Sequence, residues 1–246
     1  MRVKIINPNT TASMTETIAT AARAVAAPGT EIIAATSPAG PASIEGHYDE
    51  AVSVIGLLQE VRRGEAEGAD AYVIACFGDP GLLACREIAR GPVLGVAEAA
   101  MHAASMIATG FSVVTTLART RIITEHLVRT YGMAHVCRRV RATELPVLEL
   151  ENPASDARRL ITAECQRAIE EDGSGAIVLG CAGMADLAEH IAETIGVPVI
   201  DGVAAAVKLA EALVGLGLGT SKKGDLAFPL AKPYTGALSD MAPATA

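Results

Sequence analysis

Cys76 and Cys181 are the two residues of this chain whose type and setting best suit chemistry. Cys76 closes the run Ala71-Tyr72-Val73-Ile74-Ala75-Cys76, and Cys181 closes Ala176-Ile177-Val178-Leu179-Gly180-Cys181. Each run reads as a short buried strand, followed by a Gly-containing turn and then a helical pattern. The sequence beyond each helix also matches: Gly91-Pro92-Val93-Leu94-Gly95 answers Gly196-Val197-Pro198-Val199-Ile200-Asp201. One thiol at the same point of two similar halves gives two opposed acid/base groups. Inversion at carbon needs such a pair, because a proton leaves one face and another arrives on the opposite face.

The elements that would position these thiols alternate between β and α patterns. Strands are expected at 3–6, 31–35, 71–76 and 93–96, then again at 111–116, within 138–147, at 176–181 and at 197–200. Helices are expected after Ser13, whose pairing with Glu16 suits a capping box, and at 50–67, 82–89, 97–109, 120–131, 156–171, 185–194 and 203–216. Alternation of this kind implies parallel sheets and βαβ crossovers, so the fold class is α/β, and the restart of the pattern reads as a duplicated α/β unit. The expected division places 1–97, joined by a returning 207–246, in the first domain and 98–206 in the second. The segment from Thr220 is rich in Gly, Pro, Lys and Ala and reads as a weakly structured tail.

In a parallel α/β sheet, ligands bind beyond the carboxyl ends of the strands. Both cysteines lie there, ahead of a helix N-terminus whose dipole and free N–H groups favour a thiolate. A single cysteine at a strand end reads first as a small buried hydrophobe; two at equivalent positions favour chemistry. Asn9, Thr115 and Thr116 end neighbouring strands, although Asn and Thr also cap helices and shape turns. Ile44, in Ser43-Ile44-Glu45-Gly46, can reach the same cleft. Asp79, in Cys76-Phe77-Gly78-Asp79-Pro80-Gly81, suits either a helix cap or an acceptor for substrate N–H. Phe77, Gly78, Ala182 and Gly183 would aim backbone N–H groups at a developing oxyanion.

Composition narrows the classes. The chain has 246 residues, half of them hydrophobic and a fifth charged, with a net charge of −8 and no Trp. That is enough apolar sequence for a sizeable core, and its scattered basic residues give no nucleic-acid groove or membrane patch. No apolar run has the length of a membrane span or a signal peptide, so a cytoplasmic location is expected. Five cysteines, odd in number and widely spread, suit free thiols. Neither they nor the five histidines fall at metal-ligand spacings. Walker, G-x-G-x-x-G and G-x-S-x-G sequences are missing as well. No metal and no cofactor are expected.

With these residues in view, the chain resembles the hydantoin racemases, within the superfamily that also holds aspartate/glutamate racemases, allantoin racemases and arylmalonate decarboxylases. The stretches that carry the resemblance are Ile6-Asn7-Pro8-Asn9-Thr10, Ser43-Ile44-Glu45-Gly46, Ala75-Cys76-Phe77-Gly78-Asp79-Pro80-Gly81-Leu82, Val178-Leu179-Gly180-Cys181-Ala182-Gly183-Met184, Val197-Pro198-Val199-Ile200-Asp201-Gly202 and Thr220-Ser221-Lys222. The resemblance implies two pseudo-symmetric Rossmann-like domains with the active site in the cleft between them, no metal or organic cofactor, and a homo-oligomer, either tetramer or hexamer. It implies that Cys76 and Cys181 exchange the proton at C5 of a 5-monosubstituted hydantoin, one as thiolate and one as thiol.

Allantoin, a ureido-substituted hydantoin, is the alternative substrate. Aspartate/glutamate racemisation is disfavoured, because Phe77-Gly78 and Ala182-Gly183 stand where those enzymes place polar residues that clamp a carboxylate. Decarboxylation is disfavoured by the presence of Cys76. A two-lobed binding protein without catalysis is the alternative from another class; the matched cysteines argue against it.

Overall fold

The computed structural model describes residues 1–152 and 154–243. Its first half runs β1 (Arg2–Asn7), α1 (Ala12–Val25), β2 (Glu31–Thr36), α2 (His47–Glu67), β3 (Ala71–Ile74), α3 (Leu82–Ile88), β4 (Val93–Gly95) and α4 (Val96–Ile107). The second half repeats the order with β5 (Phe111–Thr115), α5 (Ala118–Thr130), β6 (Cys137–Ala142), α6 (Ala157–Asp172), β7 (Ala176–Leu179), α7 (Ala188–Ile195), β8 (Val199–Ile200) and α8 (Gly202–Gly215). Each half forms a four-stranded sheet, ordered β2-β1-β3-β4 and β6-β5-β7-β8, with every pairing parallel. The two sheets therefore have one topology, and the α/β class and parallel sheets expected from the sequence are the ones observed.

Parallel strands buried on both faces need apolar side chains at every position, not alternate ones. The central strands obey this. Val73 of β3 points into the shared core, while Tyr72 and Ile74 point to the outer layer under α2 and α3. In β7, Val178 faces the same shared core, and Ile177 and Leu179 face the layer under α6 and α7. The shared core lies between the sheets and is filled by α1, α4 and α8.

The two closing helices are exchanged. Although α4 follows β4, it packs on β7 and β8 of the second sheet, and α8, following β8, packs on β3 and β4 of the first. Side chains small enough for close helix contact make this possible: Ala97, Ala100 and Ala104 of α4 and Ala206 and Ala210 of α8 are all fully buried. No helix among the described residues is long and apolar enough to cross a membrane.

Some local expectations are corrected. Ser13 sits inside α1 and forms no capping box; the helix is capped at Thr11 without a side-chain bond. The preceding turn is held by asparagines, with Asn9 Oδ1 accepting the Thr11 N–H at 2.9 Å and Asn7 Oδ1 accepting the Asn9 N–H at 3.2 Å. Helix α2 begins at His47, ahead of the expected start at Glu50. Beyond α8 the described residues have only short 3₁₀ turns, at Gly224–Leu226 and Gly236–Met241. It binds the first half through Lys222, whose ammonium reaches the Arg86 and Glu87 carbonyls at the end of α3 at 2.6 and 3.1 Å. Residues 244–246 of the expected tail lie outside the described residues.

A buried ion cluster fastens α6 to the second sheet. Arg141 of β6, with 4 % of its side chain exposed, pairs with Asp172 at 2.6 Å, Glu171 at 2.8 Å and Glu164 at 3.0 Å. Asp172 is itself buried and also accepts the Ser112 hydroxyl. Burial opposes the Asp172 charge, but the bonds from Arg141 and Ser112 prevail and hold its carboxyl below the usual value. Removing one member of such a pair leaves a buried charge uncompensated. Arg141→Met should therefore lower the unfolding free energy by about 3 kcal/mol, measured by urea titration, and adding Asp172→Asn should recover part of the loss.

Candidate active site

The two cysteine turns are built alike. The residue before each cysteine completes the sheet ladder: Ala75 N–H bonds the Ile6 carbonyl at 2.9 Å, and Gly180 N–H bonds the Val114 carbonyl at 2.8 Å. Each cysteine then leaves the sheet and its carbonyl accepts from three residues on, from Asp79 N–H at 2.9 Å and from Met184 N–H at 3.0 Å. That turn frees the next backbone donors for the thiol: Gly78 N–H bonds Cys76, and Gly183 N–H bonds Cys181.

Beyond the turns the halves differ. Cys181 is the N-cap of a 3₁₀ segment, Ala182–Leu187, that leads into α7. After Cys76 the helix α3 starts only at Leu82, so no helix N-terminus lies directly behind this thiol. The expected helix-dipole support at Cys76 is replaced by the local Gly78 N–H.

One cleft of about 60 Å³ is lined by both cysteines. Of the residues expected there from sequence, Asn9, Ile44, Phe77, Gly78, Thr115, Thr116, Ala182 and Gly183 also line it. Met14, Glu50, Thr120, Ile123, Thr124 and Val147 line it too and were not foreseen. Most of these project from helix faces, where strand-end reasoning does not look. Ile44 is held in place across the cleft, because the Glu45 carboxylate beside it accepts the Val147 N–H of the opposite half at 2.7 Å. Cys85 and Cys165 are buried in the outer layers, and Cys137 lies on β6.

Asp79 is the expected contact residue that the cleft does not include. Its carboxylate turns away from the cleft and caps α4, taking Ala97 N–H at 3.0 Å and Glu98 N–H at 2.9 Å, and it accepts the Tyr131 hydroxyl of the second half at 2.7 Å. The functional alternative for this residue is thereby corrected: it caps the helix after next, and holds the Cys76 turn to it. The turn needs Asp79 at φ +44, a left-handed conformation that Asp tolerates better than most side chains. Gly95 answers it, since a Cβ there would lie 2.2 Å from the Asp79 carboxyl carbon.

Thr115 has a similar supporting part. Its hydroxyl donates to the Gly180 carbonyl at 3.0 Å, bracing the residue before Cys181. Gly180 has no room for a side chain, as a Cβ would sit 2.8 Å from Thr115 Cβ.

Burial pushes both thiols up, Cys76 to about 12 and Cys181 to about 11. At Cys76 the Gly78 N–H opposes the rise, and the charges of Cys181, Asp79 and Glu50 add to it. At Cys181 the Gly183 N–H opposes it, with Glu45 and Glu151 adding. Both side chains keep part of their surface open to the cleft, so cleft water screens part of this penalty. The expectation of thiols acidified below the ordinary value is corrected: desolvation outweighs one N–H each.

A sequence profile of the Asp/Glu/Hydantoin racemase family matches residues 3–210. The chain belongs to that family. It is 52 % identical to the hydantoin racemase of Rhizobium meliloti over 96 % of this chain and 98 % of that one. It is 48 % identical to the hydantoin racemase of Pseudomonas sp. (strain NS671), over 98 % and 96 % of the two chains. Among solved structures, the allantoin racemase from Klebsiella pneumoniae superposes with a TM-score of 0.97 at 58 % identity, covering 99 % of both chains.

Asp79→Ala would leave two helix N–H groups and the Tyr131 hydroxyl without their acceptor. It should destabilise the protein by about 2–4 kcal/mol in thermal or urea unfolding. Tyr131→Phe, which leaves both N–H bonds in place, should cost about 1 kcal/mol.

Proposed function

We propose that this chain racemises a neutral five-membered ring, interconverting the enantiomers of 5-monosubstituted hydantoins with Cys76 and Cys181 as the two proton-transfer groups. The observation that carries the reading is the pair of matched turns, each offering one thiol and one backbone N–H to a single cleft. The carbonyl next to C5 acidifies the C5–H bond. One cysteine, as thiolate, takes this proton, forming an S–H bond as the C–H electrons pass into an enolate. The enolate oxygen is then within the field of backbone donors at Phe77-Gly78 and Ala182-Gly183. The opposite thiol delivers its proton to the other face, ending as thiolate. The enzyme is left ready for the reverse enantiomer, and proton exchange with water resets it.

Several features support a neutral substrate. Phe77, Ile44, Met14, Ile123 and Val147 make much of the lining apolar, and no Lys or Arg lines the cleft among the described residues. A free α-carboxylate would find no cationic partner there. The scheme needs no metal or organic cofactor, since the ring's own carbonyl stabilises the carbanion. Racemisation of allantoin is the second reading, favoured by the 58 % identity to an allantoin racemase. We read the domains as 1–97 with the returning 207–246, and 98–206. The protein is taken as cytoplasmic and, on the strength of the family resemblance, as a homo-oligomer.

Decay of optical rotation from one enantiomer of 5-benzylhydantoin, 5-isobutylhydantoin and allantoin tests the substrate, and deuterium uptake at C5 tests the proton transfer. Cys76→Ser and Cys181→Ser should each lower turnover by roughly 10³-fold with the unfolding midpoint unchanged. Near-normal racemisation by either variant overturns the two-thiol scheme.

The raised thiols also set a pH dependence. Groups pushed above their ordinary value are protonated at neutral pH, so the active thiolate/thiol form grows as pH rises, and the pair titrates as a unit. The rate kcat/KM should climb through pH 7–9; a flat profile across that range rejects the scheme.

A further inference from the structure

Glu50 is the only ionisable side chain besides the two cysteines that lines the cleft among the described residues. Its carboxylate and the Cys76 thiol stand on either side of Gly78: a Cβ on that glycine would lie 3.7 Å from Glu50 Oε1 and 3.9 Å from Cys76 Sγ. Three-quarters of the Glu50 side chain is buried, and its contact with the exposed His47 is a long one, 3.5 Å to Nδ1. Burial raises its pKa, with His47 opposing. An anion in this place works against the thiolate at Cys76, since its charge raises that thiol further.

The fold does not require an acid here. Asp49, in the same first turn of α2, already accepts the Glu45 N–H at 3.0 Å and complements the helix dipole. The fourth residue of α6, the helix that α2 matches in the second half, is Leu160, packed into the outer core. Glu50 is thus an unsymmetrical addition to a symmetrical site, placed where it hinders one of the two thiols. A compensating contact has to come from a ligand with hydrogen-bond donors. On the racemase reading above, the ring nitrogen bonded to C5 supplies one. It lies one bond from the carbon the thiols must reach, so its N–H falls beside Cys76.

We propose that Glu50 determines specificity in this cleft, its carboxylate accepting the N–H of the ring nitrogen next to the reacting carbon and repelling substrates with a free carboxylate. The inference rests on the ring-racemase reading, and binding separates the two. Unsubstituted hydantoin has no stereocentre, so its affinity is measured without turnover. Calorimetric titration of the full-length protein with hydantoin, 1-methylhydantoin and 3-methylhydantoin should show 1-methylation weakening binding roughly tenfold or more and 3-methylation doing less. Glu50→Ala should weaken hydantoin by a similar factor and remove most of the penalty of 1-methylation. An equal 1-methyl penalty in wild type and Glu50→Ala, or undiminished hydantoin binding by that variant, overturns the proposal while leaving the racemase reading intact. Failure of the wild type both to bind hydantoin and to racemise any 5-substituted ring overturns both.

Glu50→Gln gives a second readout that a merely structural role would not move. It keeps the side-chain shape and removes the charge facing Cys76, whose other charged neighbours are Asp79 and Cys181. The rise of kcat with pH should then begin at lower pH, while KM for the ring increases. An unshifted pH profile with unchanged KM rejects the assignment.

Discussion

A buried carboxylate couples the two halves of the cleft. Asp79 lies three residues after Cys76, yet its oxygens are committed to the N-terminus of α4 and to Tyr131, the C-cap of α5. Helix α4 packs on the second sheet, so the turn that aims Cys76 is fixed to the half that carries Cys181. Withdrawing a carboxyl from water is unfavourable, and burial raises its pKa to about 7 despite three donors. The capped helix terminus and the tyrosine offset that penalty only while all three bonds hold. The relative placement of the thiols thus depends on an interaction outside the cleft.

The exchange of α4 and α8 has the same consequence on a larger scale. If each helix packed on its own sheet, the two halves would share only a surface contact and would be free to move as separate domains. With the helices exchanged, the shared core contains Val3, Val73 and Ala75 from one sheet and Phe111, Val113 and Val178 from the other. Separating the halves would expose that core. The two-base reaction proposed above would benefit, because it requires both thiols within reach of one carbon at once.

Much of this was legible in the sequence because parallel strands announce themselves. Runs such as Ala71–Ile74 and Ala176–Leu179 are continuously apolar, and each is followed two residues on by a cysteine that has a glycine two residues after it. Strand ends are therefore easy to place, and the contact residues found from them came to one cleft. Helix faces are harder. Glu50, Thr120, Ile123 and Thr124 reach the site from α2 and α5, and nothing local separates Thr124 from the many threonines that cap and fill helices. Asp79 was misjudged for another reason. Its position beside Cys76 suggested the cleft, but φ +44 turns the carboxylate toward a helix that begins seventeen positions later in the chain, a relation that no local pattern encodes. The helix-dipole argument failed at Cys76 because the segment up to Leu82 is a turn and not a helix.

The raised thiols suit the reaction proposed here. A base that removes a proton from carbon gains strength as its conjugate acid weakens, but loses population at a fixed pH by the same change. Deep burial alone would carry that exchange too far and leave almost no thiolate. One backbone N–H at each cysteine limits the rise without introducing a formal charge that would bind the thiolate and quench its basicity. A lysine or arginine in the cleft would have acidified the thiols more strongly, and would also have attracted the carboxylates of ordinary amino acids. The neutral donors at Gly78 and Gly183 avoid both effects, and because they belong to matching turns they act alike on the two faces of the ring. The enantiomers have equal free energy, so Glu50 beside Cys76 can make the two thiols unequal without moving the one-to-one equilibrium.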